Sequence, residues 1–369
     1  MPGAVYSPFA DRLHDHSGPL YPLHVGDTWL EPVAGARTED LLAEENPGLH
    51  RYADTRGLPE LVEAVIEKLN RCNGIVCERE SILMTAGATA GLSCALGAVV
   101  EPGDDVLILA PFWPLIRGIV QSLGARPVEV PFLDRVDSPE EALAAVQEKV
   151  GPRTVALYVS TPSNPTGRVL GEEILIALAE WARREDLWLV SDEVYEDFVY
   201  TGEHRSLAPL APERTLTTYS FSKAYGMAGN RVGYLVGPPA WVDEARKLGT
   251  HSFYNAPTAG QYAARRALER GDAWQADARR AYAEVGAQAA NLLGLPAPQG
   301  STFLFLDARR SLDQRGLEGL LEDCFERGVL VAPGVSSGTD YGDWIRLCFT
   351  VLPPDQTLEA VRLIQPLLR

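Results

Sequence analysis

The sequence is organised around one stretch, which reads Tyr219-Ser220-Phe221-Ser222-Lys223-Ala224-Tyr225-Gly226-Met227-Ala228-Gly229-Asn230-Arg231-Val232-Gly233. A single lysine, Lys223, lies among small and hydroxyl side chains at the end of a β-rich run. Burial disfavours an ammonium group, so such a lysine can lose its proton and form an imine with a carbonyl compound. Ser220, Ser222 and Arg231 suit a phosphate. The stretch therefore predicts a pyridoxal phosphate (PLP) site, and the alternative is an ordinary surface lysine in a loop.

Length and composition limit the classes of protein to consider. The chain has 369 residues, of which 46% are hydrophobic, and a net charge of −17. These values predict a globular protein with two domains, and the charge argues against nucleic acid or an anionic membrane surface as a partner. We find no signal peptide and no run of about 20 apolar residues that could span a membrane. The five cysteines include no second pair to join Cys72 and Cys77, which favours reduced thiols in the cytoplasm over a metal site.

Upstream of the lysine, strands alternate with helices. The apolar strand Ile82–Thr85 is followed by small residues and a helix that reaches about Val100. A helix start of this kind binds anions through free backbone N–H groups. We assign the phosphate to its first residues, Gly87, Ala88 and Thr89, although small residues also mark plain tight turns.

Two further strands end in residues that could bind a ligand or take part in catalysis. The strand Thr154–Val159 leads into Ser160-Thr161-Pro162-Ser163-Asn164-Pro165-Thr166-Gly167, where Asn164 can donate a hydrogen bond without adding charge. Another apolar strand ends in Asp192, with Tyr195 three residues later. A buried carboxylate there can hold a pyridine nitrogen protonated, and the alternative is a cap on the next turn.

In their order, these motifs resemble the class I/II aminotransferases, the fold-type I PLP enzymes that are similar to aspartate aminotransferase. The resemblance extends from about Pro22 to the C-terminus and includes the letters Asn-Pro-Thr-Gly of residues 164–167. It implies an α/β fold, in which a large domain with a mostly parallel seven-stranded sheet is joined by a small α+β domain. The expected divisions are an N-terminal segment 1–40 that joins the small domain, a PLP-binding domain 41–274 and a C-terminal domain 275–369.

The resemblance also implies roles for individual residues. Lys223 would bind PLP and act as the general base, Asp192 would keep the pyridine nitrogen protonated, and Tyr195 and Asn164 would contact the phenolic oxygen. Trp113 would stack on the ring, with Phe112 as the competing aromatic. Tyr52 would reach the phosphate of the neighbouring subunit in a homodimer, or else pack on its own helix.

Substrate binding falls to Gly26, Asn164 and Arg346 by the same resemblance. Arg346 is flanked by apolar residues in a predicted strand, where it would bind the substrate α-carboxylate; a solvent-facing arginine on an edge strand is the alternative. A dicarboxylic substrate would need a second cation, for which Arg12, Arg37 and Arg117 are candidates that the sequence places more readily on the surface.

The implied activity is transfer of an amino group between an L-amino acid and a 2-oxo acid. Two segments depart from the family pattern near the substrate, namely Asp27-Thr28-Trp29 and Gly300-Ser301-Thr302-Phe303. The alternative is therefore a PLP-dependent lyase or cyclase that works by β/γ-elimination or replacement. A PLP-binding regulatory module would need a basic DNA-binding segment, which the composition does not supply. We also predict a strand over 231–236 and a loop over 250–257.

Overall fold

The computed structural model describes residues 8–368, without the side chains of residues 10, 11 and 15. Residues 1–7 of the predicted segment 1–40 lie outside this range. The strands are β1 Ile82–Thr85, β2 Asp105–Ala110, β3 Arg126–Pro131, β4 Thr154–Ser160, β5 Trp188–Asp192, β6 Thr215–Ser220, β7 Gly233–Val236, β8 Phe303–Asp307, β9 Ala332–Pro333 and β10 Trp344–Cys348.

The helices alternate with these strands in the first two thirds of the chain and dominate the last third. They are α1 Pro59–Lys68, α2 Gly87–Val99, α3 Leu115–Ser122, α4 Pro139–Lys149, α5 Glu172–Arg184, α6 Phe221–Ala224, α7 Pro239–Ser252, α8 Thr258–Arg270, α9 Asp272–Leu292, α10 Gly316–Glu326 and α11 Pro354–Ile364. Among the described residues, no helix has the length and apolar character needed to cross a membrane.

The large sheet has seven strands in the order β1-β7-β6-β5-β4-β2-β3. Strand β7 runs antiparallel to both of its neighbours, and the pairs β6–β5, β5–β4, β4–β2 and β2–β3 are parallel. Every residue of β2 is buried, which explains the continuous apolar run Val106 to Ala110, because helices cover both faces of such a sheet. The predicted α/β fold with a mostly parallel seven-stranded sheet is confirmed.

The small sheet is antiparallel, with β10 between β8 and β9. The N-terminal segment packs against it: Tyr21 pairs with Val329, and the Leu23 carbonyl accepts a hydrogen bond of 2.7 Å from the Cys348 amide. Leu23 is fully buried in the same hydrophobic cluster as helices α9 and α11. Both chain ends therefore meet in one core, while the exact divisions at residues 40 and 274 stay predictions.

Two local predictions were wrong. The strand expected over 231–236 begins only at Gly233, because Arg231 adopts the left-handed conformation with φ 53°, which no strand residue can hold. The loop expected over 250–257 begins later, since α7 continues to Ser252. The hydroxyls of Thr250 and Ser252 bond carbonyls four residues back, so both polar side chains are satisfied within the helix.

Candidate active site

The carboxyl ends of β4, β5 and β6 open into a cavity with a volume of about 170 Å³. Open α/β sheets bind ligands at this edge. The cavity brings together ten of the residues predicted to bind the cofactor, which are Ala88, Thr89, Trp113, Asn164, Asp192, Tyr195, Ser220, Ser222, Lys223 and Arg231. The prediction missed Leu92, Val194 and Ala228, which also line it. Leu92 lies one helical turn beyond Ala88 and Thr89, so the helix pattern could have identified it.

One end of this cavity is built for an anion. Helix α2 presents its first backbone N–H groups there, and its first turn contains no acidic residue. Gly87 has φ +78°, and a Cβ at this position would lie only 2.6 Å from Nη2 of Arg231. Nη1 of Arg231 donates to the Ala228 carbonyl at 2.9 Å, which holds the guanidinium beside the helix start. The predicted phosphate residues are therefore neighbours, with Gly87 as the residue that lets the arginine approach.

Lys223 lies in the cavity wall, and its amine donates to the Gly26 carbonyl. Burial lowers the pKa of this amine; the carboxylate of Asp27 opposes the shift, and Arg346 and Arg231 reinforce it. A lowered pKa raises the fraction of neutral amine, the form that reacts as a nucleophile or base. The structure thus gives Lys223 the dry setting that the sequence predicted.

Asp192 ends β5 and is 4% exposed. One carboxylate oxygen accepts a hydrogen bond of 2.7 Å from the Tyr158 hydroxyl, and the other accepts a long one of 3.4 Å from the Val194 amide. Burial raises the pKa of Asp192 to about 6, and these two bonds oppose the shift. The cap expected as an alternative is present but weak, and the carboxylate also lines the cavity. Tyr158 was missed because it lies on a different strand.

Glu193 follows immediately but points into a different environment, and the sequence assigned it no role in the site. It is fully buried and has five polar neighbours at 2.8–3.1 Å, namely the hydroxyls of Ser191, Ser206 and Tyr219, the Leu207 amide and Nε2 of His204. Burial alone would raise the pKa of Glu193, but the bond and charge of His204, with the other donors, lower it below its ordinary value. The same contact raises the pKa of His204.

A second cavity of about 390 Å³ adjoins the first and shares Trp113, Asn164, Tyr195 and Lys223 with it. The predicted substrate residues Gly26, Asn164 and Arg346 all line this cavity, together with three that the sequence did not identify, His24, Val25 and Phe303. Val25 and His24 directly precede Gly26, so their proximity could have been inferred from its assignment. Phe303 belongs to a segment that departs from the family pattern.

Arg346 is 3% exposed and lies on β10, the middle strand of the small sheet. The alternative of a solvent-facing edge-strand arginine is therefore wrong. Its Nη1 donates to Oδ1 of Asn164 at 3.0 Å, its Nη2 donates to the His24 carbonyl at 2.9 Å, and its guanidinium lies 4.4 Å from the ring centre of Phe303. These contacts fix a planar cation at the wall of the second cavity, where it can take a carboxylate.

Tyr52 lies outside both cavities. Its side chain is 83% exposed, and its ring meets that of Tyr254 edge-on at 4.9 Å. Within one chain, the two tyrosines form an exposed aromatic pair and not part of the site. The sequence assigned Tyr52 to the site of a neighbouring subunit, and this assignment stays a prediction.

Known proteins with similar sequences and structures share one activity. Residues 21–364 match the family model for aminotransferase class I and II. The probable aspartate/prephenate aminotransferase of Thermus aquaticus is 40% identical over 272 residues, which cover 70% of each chain. The aspartate/prephenate aminotransferase of Thermus thermophilus is 37% identical over 301 residues, 78% of this chain and 76% of that one.

The structural comparison agrees with the sequence comparison. The aspartate aminotransferase from Thermus thermophilus with maleate superimposes with a TM-score of 0.89 at 32% identity, over 100% of this chain and 97% of the other. These matches favour amino-group transfer over the elimination or cyclisation alternative. The chain belongs to the class I and II aminotransferase family, whose members use PLP, and the resemblance read from its motifs is confirmed: it is a PLP-dependent aminotransferase.

Proposed function

We propose that this aminotransferase uses one residue, Lys223, both to bind PLP and to move the proton on the α-carbon of an L-amino acid. The observation that carries the proposal is that Lys223 lines both cavities at their junction. Asp192 lies in the first cavity and Arg346 in the second, so the lysine stands between a site for the cofactor and a site for the substrate carboxylate.

The donor set of the first cavity fits PLP from end to end. The start of α2, Ser220, Ser222 and Arg231 offer N–H, hydroxyl and guanidinium groups to a phosphate. At the other end, Asp192 offers a buried carboxylate to a pyridine nitrogen, and Trp113 offers an aromatic face. When bound, PLP supplies an electron sink for the charge that develops on the substrate α-carbon.

The side chains around the lysine have complementary tasks. With PLP bound, Asp192 would keep the pyridine nitrogen protonated, and the Lys223 amine would accept the proton that leaves the substrate α-carbon. Asn164 uses its Oδ1 to accept from Arg346, which leaves its amide N–H groups to donate to the phenolic oxygen beside Tyr195. Arg346 and the Gly26 segment position the substrate through its α-carboxylate.

The substrate pair is an L-amino acid and a 2-oxo acid. The relatives are named for aspartate, prephenate, aromatic amino acids, and arginine with pyruvate. Their common requirement is an α-carboxylate, which Arg346 can bind in this chain. Of the other candidate cations, Arg12 pairs with Glu322 and Arg117 with Glu129, and neither lines the second cavity.

We also propose that two copies of the chain share their active sites. The support is Tyr52, which is exposed in one chain together with Tyr254, since an aromatic pair left in solvent is typical of an interface.

The five cysteines are free, which supports a reducing cytoplasmic location.

Chemical trapping of the cofactor tests the central proposal. Borohydride reduction of the purified enzyme with PLP should attach the cofactor covalently, and peptide mass analysis should find it on Lys223. Lys223→Ala should abolish turnover and labelling, whereas Lys247→Ala, a change at an exposed lysine of α7, should affect neither. Label on a different lysine in the parent protein would overturn the proposal.

Substrate discrimination tests Arg346. Arg346→Leu should weaken the reaction with amino acids by a few kcal/mol and leave simple amines, which lack the carboxylate, nearly unaffected. Arg362→Leu, at an exposed position on α11, is the matched control. Equal loss for both kinds of substrate would contradict the role.

Subunit exchange tests the shared site. A heterodimer of Lys223→Ala and Tyr52→Ala chains contains one site with both defects and one site with neither, if Tyr52 acts across the interface. Mixing differently tagged mutants should therefore restore activity above both parents. Activity at the average of the parents, with heterodimers demonstrated by the tags, would show that Tyr52 serves its own chain.

A further inference from the structure

The second cavity has an unusual balance of groups for an enzyme that handles acids. Three aromatic side chains line it, those of Trp113, Tyr195 and Phe303. Apart from His24, the basic side chains among the described residues that line it are those of Lys223 and Arg346. In the proposed function, on which this inference rests, both are already engaged, one with the cofactor and one with the α-carboxylate.

His24 is the remaining polar side chain with no task. Its backbone is held in place on both sides, because the preceding carbonyl accepts from the Cys348 amide at 2.7 Å and its own carbonyl accepts from Arg346 at 2.9 Å. The backbone of His24 is therefore fixed to β10, the strand that carries Arg346, which is proposed to bind the α-carboxylate. His24 is among the residues that line the second cavity, together with Phe303.

One ring nitrogen of His24 has no partner in the described part of the chain, and its surroundings favour the neutral form of the imidazole. Nδ1 is buried and has no hydrogen-bond partner among residues 8–368. Burial, together with the nearby charge of Arg346, lowers the pKa of His24, which makes the neutral ring the prevailing form at neutral pH. A buried nitrogen without a partner costs free energy. The other ring nitrogen, Nε2, is not buried in this way, so it is the atom that a ligand in the cavity can hydrogen-bond.

We propose that His24 determines the specificity of the substrate cavity: its neutral imidazole hydrogen-bonds the hydroxyl of an aromatic substrate side chain, and its lack of charge disfavours a side-chain carboxylate. The aromatic lining supplies the apolar surface that such a ring buries. A carboxylate in the same place would lose its hydration without gaining a further cation among the described residues of this chain. The enzyme should therefore prefer aromatic amino acids, tyrosine first, to aspartate.

Rates of the first half-reaction provide the test. The PLP enzyme is mixed with L-tyrosine, L-phenylalanine or L-aspartate, and the absorbance change gives kcat/KM for each. The parent should favour tyrosine over phenylalanine, and both over aspartate. In His24→Phe the tyrosine-to-phenylalanine ratio should fall roughly threefold to tenfold, the value of one neutral hydrogen bond. In His24→Lys the aspartate-to-phenylalanine ratio should rise at least about tenfold, through a charge-assisted bond.

Two further variants serve as controls. His14→Phe changes an exposed histidine far along the N-terminal segment and should leave both ratios at the parent values. His24→Asn keeps a neutral hydrogen-bonding group and should retain the preference for tyrosine over phenylalanine. Each comparison is a ratio within one preparation, so a partly unfolded variant still gives a valid reading.

Different failures have different meanings. If His24→Phe and His24→Lys both keep the parent ratios, His24 does not select the side chain and this inference is overturned. A parent enzyme that prefers aspartate to both aromatic amino acids overturns it as well. If no amino acid changes the absorbance at all, the proposed function itself fails.

Discussion

Asp192 and Glu193 are adjacent in the chain, carry the same charge when ionised and are both buried, yet their surroundings are opposite. Asp192 accepts one short and one long hydrogen bond and lines the cavity; its pKa is raised to about 6. Glu193 has five polar partners, and its pKa is lowered. Asp192 is the last residue of β5 and Glu193 is the first residue after it, so one strand end serves two purposes.

The fold keeps the Asp192 carboxylate available for a ligand by directing the nearby donors to Glu193 instead. Glu193 is saturated with donors from three parts of the chain, including Tyr219 of β6 and His204 in the loop after β5. It therefore stabilises the ends of β5 and β6. Asp192 is left short of donors and retains the capacity to accept another, which a protonated pyridine nitrogen can supply.

The largest effect that the comparison predicts is on turnover. Asp192→Ala should lower kcat by roughly a hundredfold to a thousandfold, because the charge that develops in the reaction loses its stabilising partner. Single-turnover absorbance measurements with bound PLP give the rate, and Asp355→Ala, at an exposed position in α11, is the control. Near-normal rates would reduce Asp192 to a cap.

The second effect is on stability and concerns Glu193. Glu193→Gln should lower the free energy of unfolding in urea by about 3 kcal/mol, because an amide cannot accept from all five donors and leaves His204 without its anion. The rate per folded molecule should stay within about threefold of the parent. Glu326→Gln, an exposed change in α10, should have no effect on stability. A large loss of rate with unchanged stability would show that Glu193 acts in catalysis, as Asp192 does, and not in stability.

The pH dependence of the apoprotein gives a third test. Burial raises the pKa of Asp192 from 3.8 to about 6 in the folded chain. Between these two pH values Asp192 holds its proton only in the folded state. The contribution of Asp192 to the free energy of unfolding therefore falls as pH rises, by about 3 kcal/mol in total. Asp192→Asn should remove this fall. Identical urea curves for the parent and the variant from pH 4 to pH 6 would contradict the raised pKa.

The smallest expected effects come from removing one hydroxyl donor from each carboxylate, Tyr158 from Asp192 and Tyr219 from Glu193. Tyr158→Phe removes the short hydrogen bond to Asp192, worth about 1 kcal/mol, and should raise the pKa of Asp192 further. The acidic limb of kcat/KM against pH should move upward by about half a unit to one unit. Tyr219→Phe removes a comparable bond from Glu193 and should lower stability while leaving that limb in place.

The sequence predicted those features that depend on local pattern. Apolar runs ending in Asp192 or in small residues identified the strand ends, and their order identified the family. It did not predict the bond between Tyr158 and Asp192, because that depends on β4 pairing beside β5, between residues 34 positions apart.

Three further features were not predicted from the sequence. The left-handed conformation of Arg231 depends on its place beside Gly87, which no short window contains. Helix Pro354–Ile364 was not predicted, although Pro354 at its start and the buried Leu358 and Val361 mark it locally. The proximity of His24 to the cavity could have been inferred from the assignment of Gly26, but its unpartnered ring nitrogen depends on the folded surroundings.

The substrate cavity draws its walls from three distant parts of the chain. Arg346 near the C-terminus bonds Asn164, in the loop after β4, and the carbonyl of His24 near the N-terminus. An engineer who wished to transplant the specificity of a relative could not do so by exchanging the C-terminal domain alone. Residues 20–30 would have to be exchanged together with the C-terminal domain. A new domain beside the old N-terminal segment would place residues from two different proteins against each other inside the pocket.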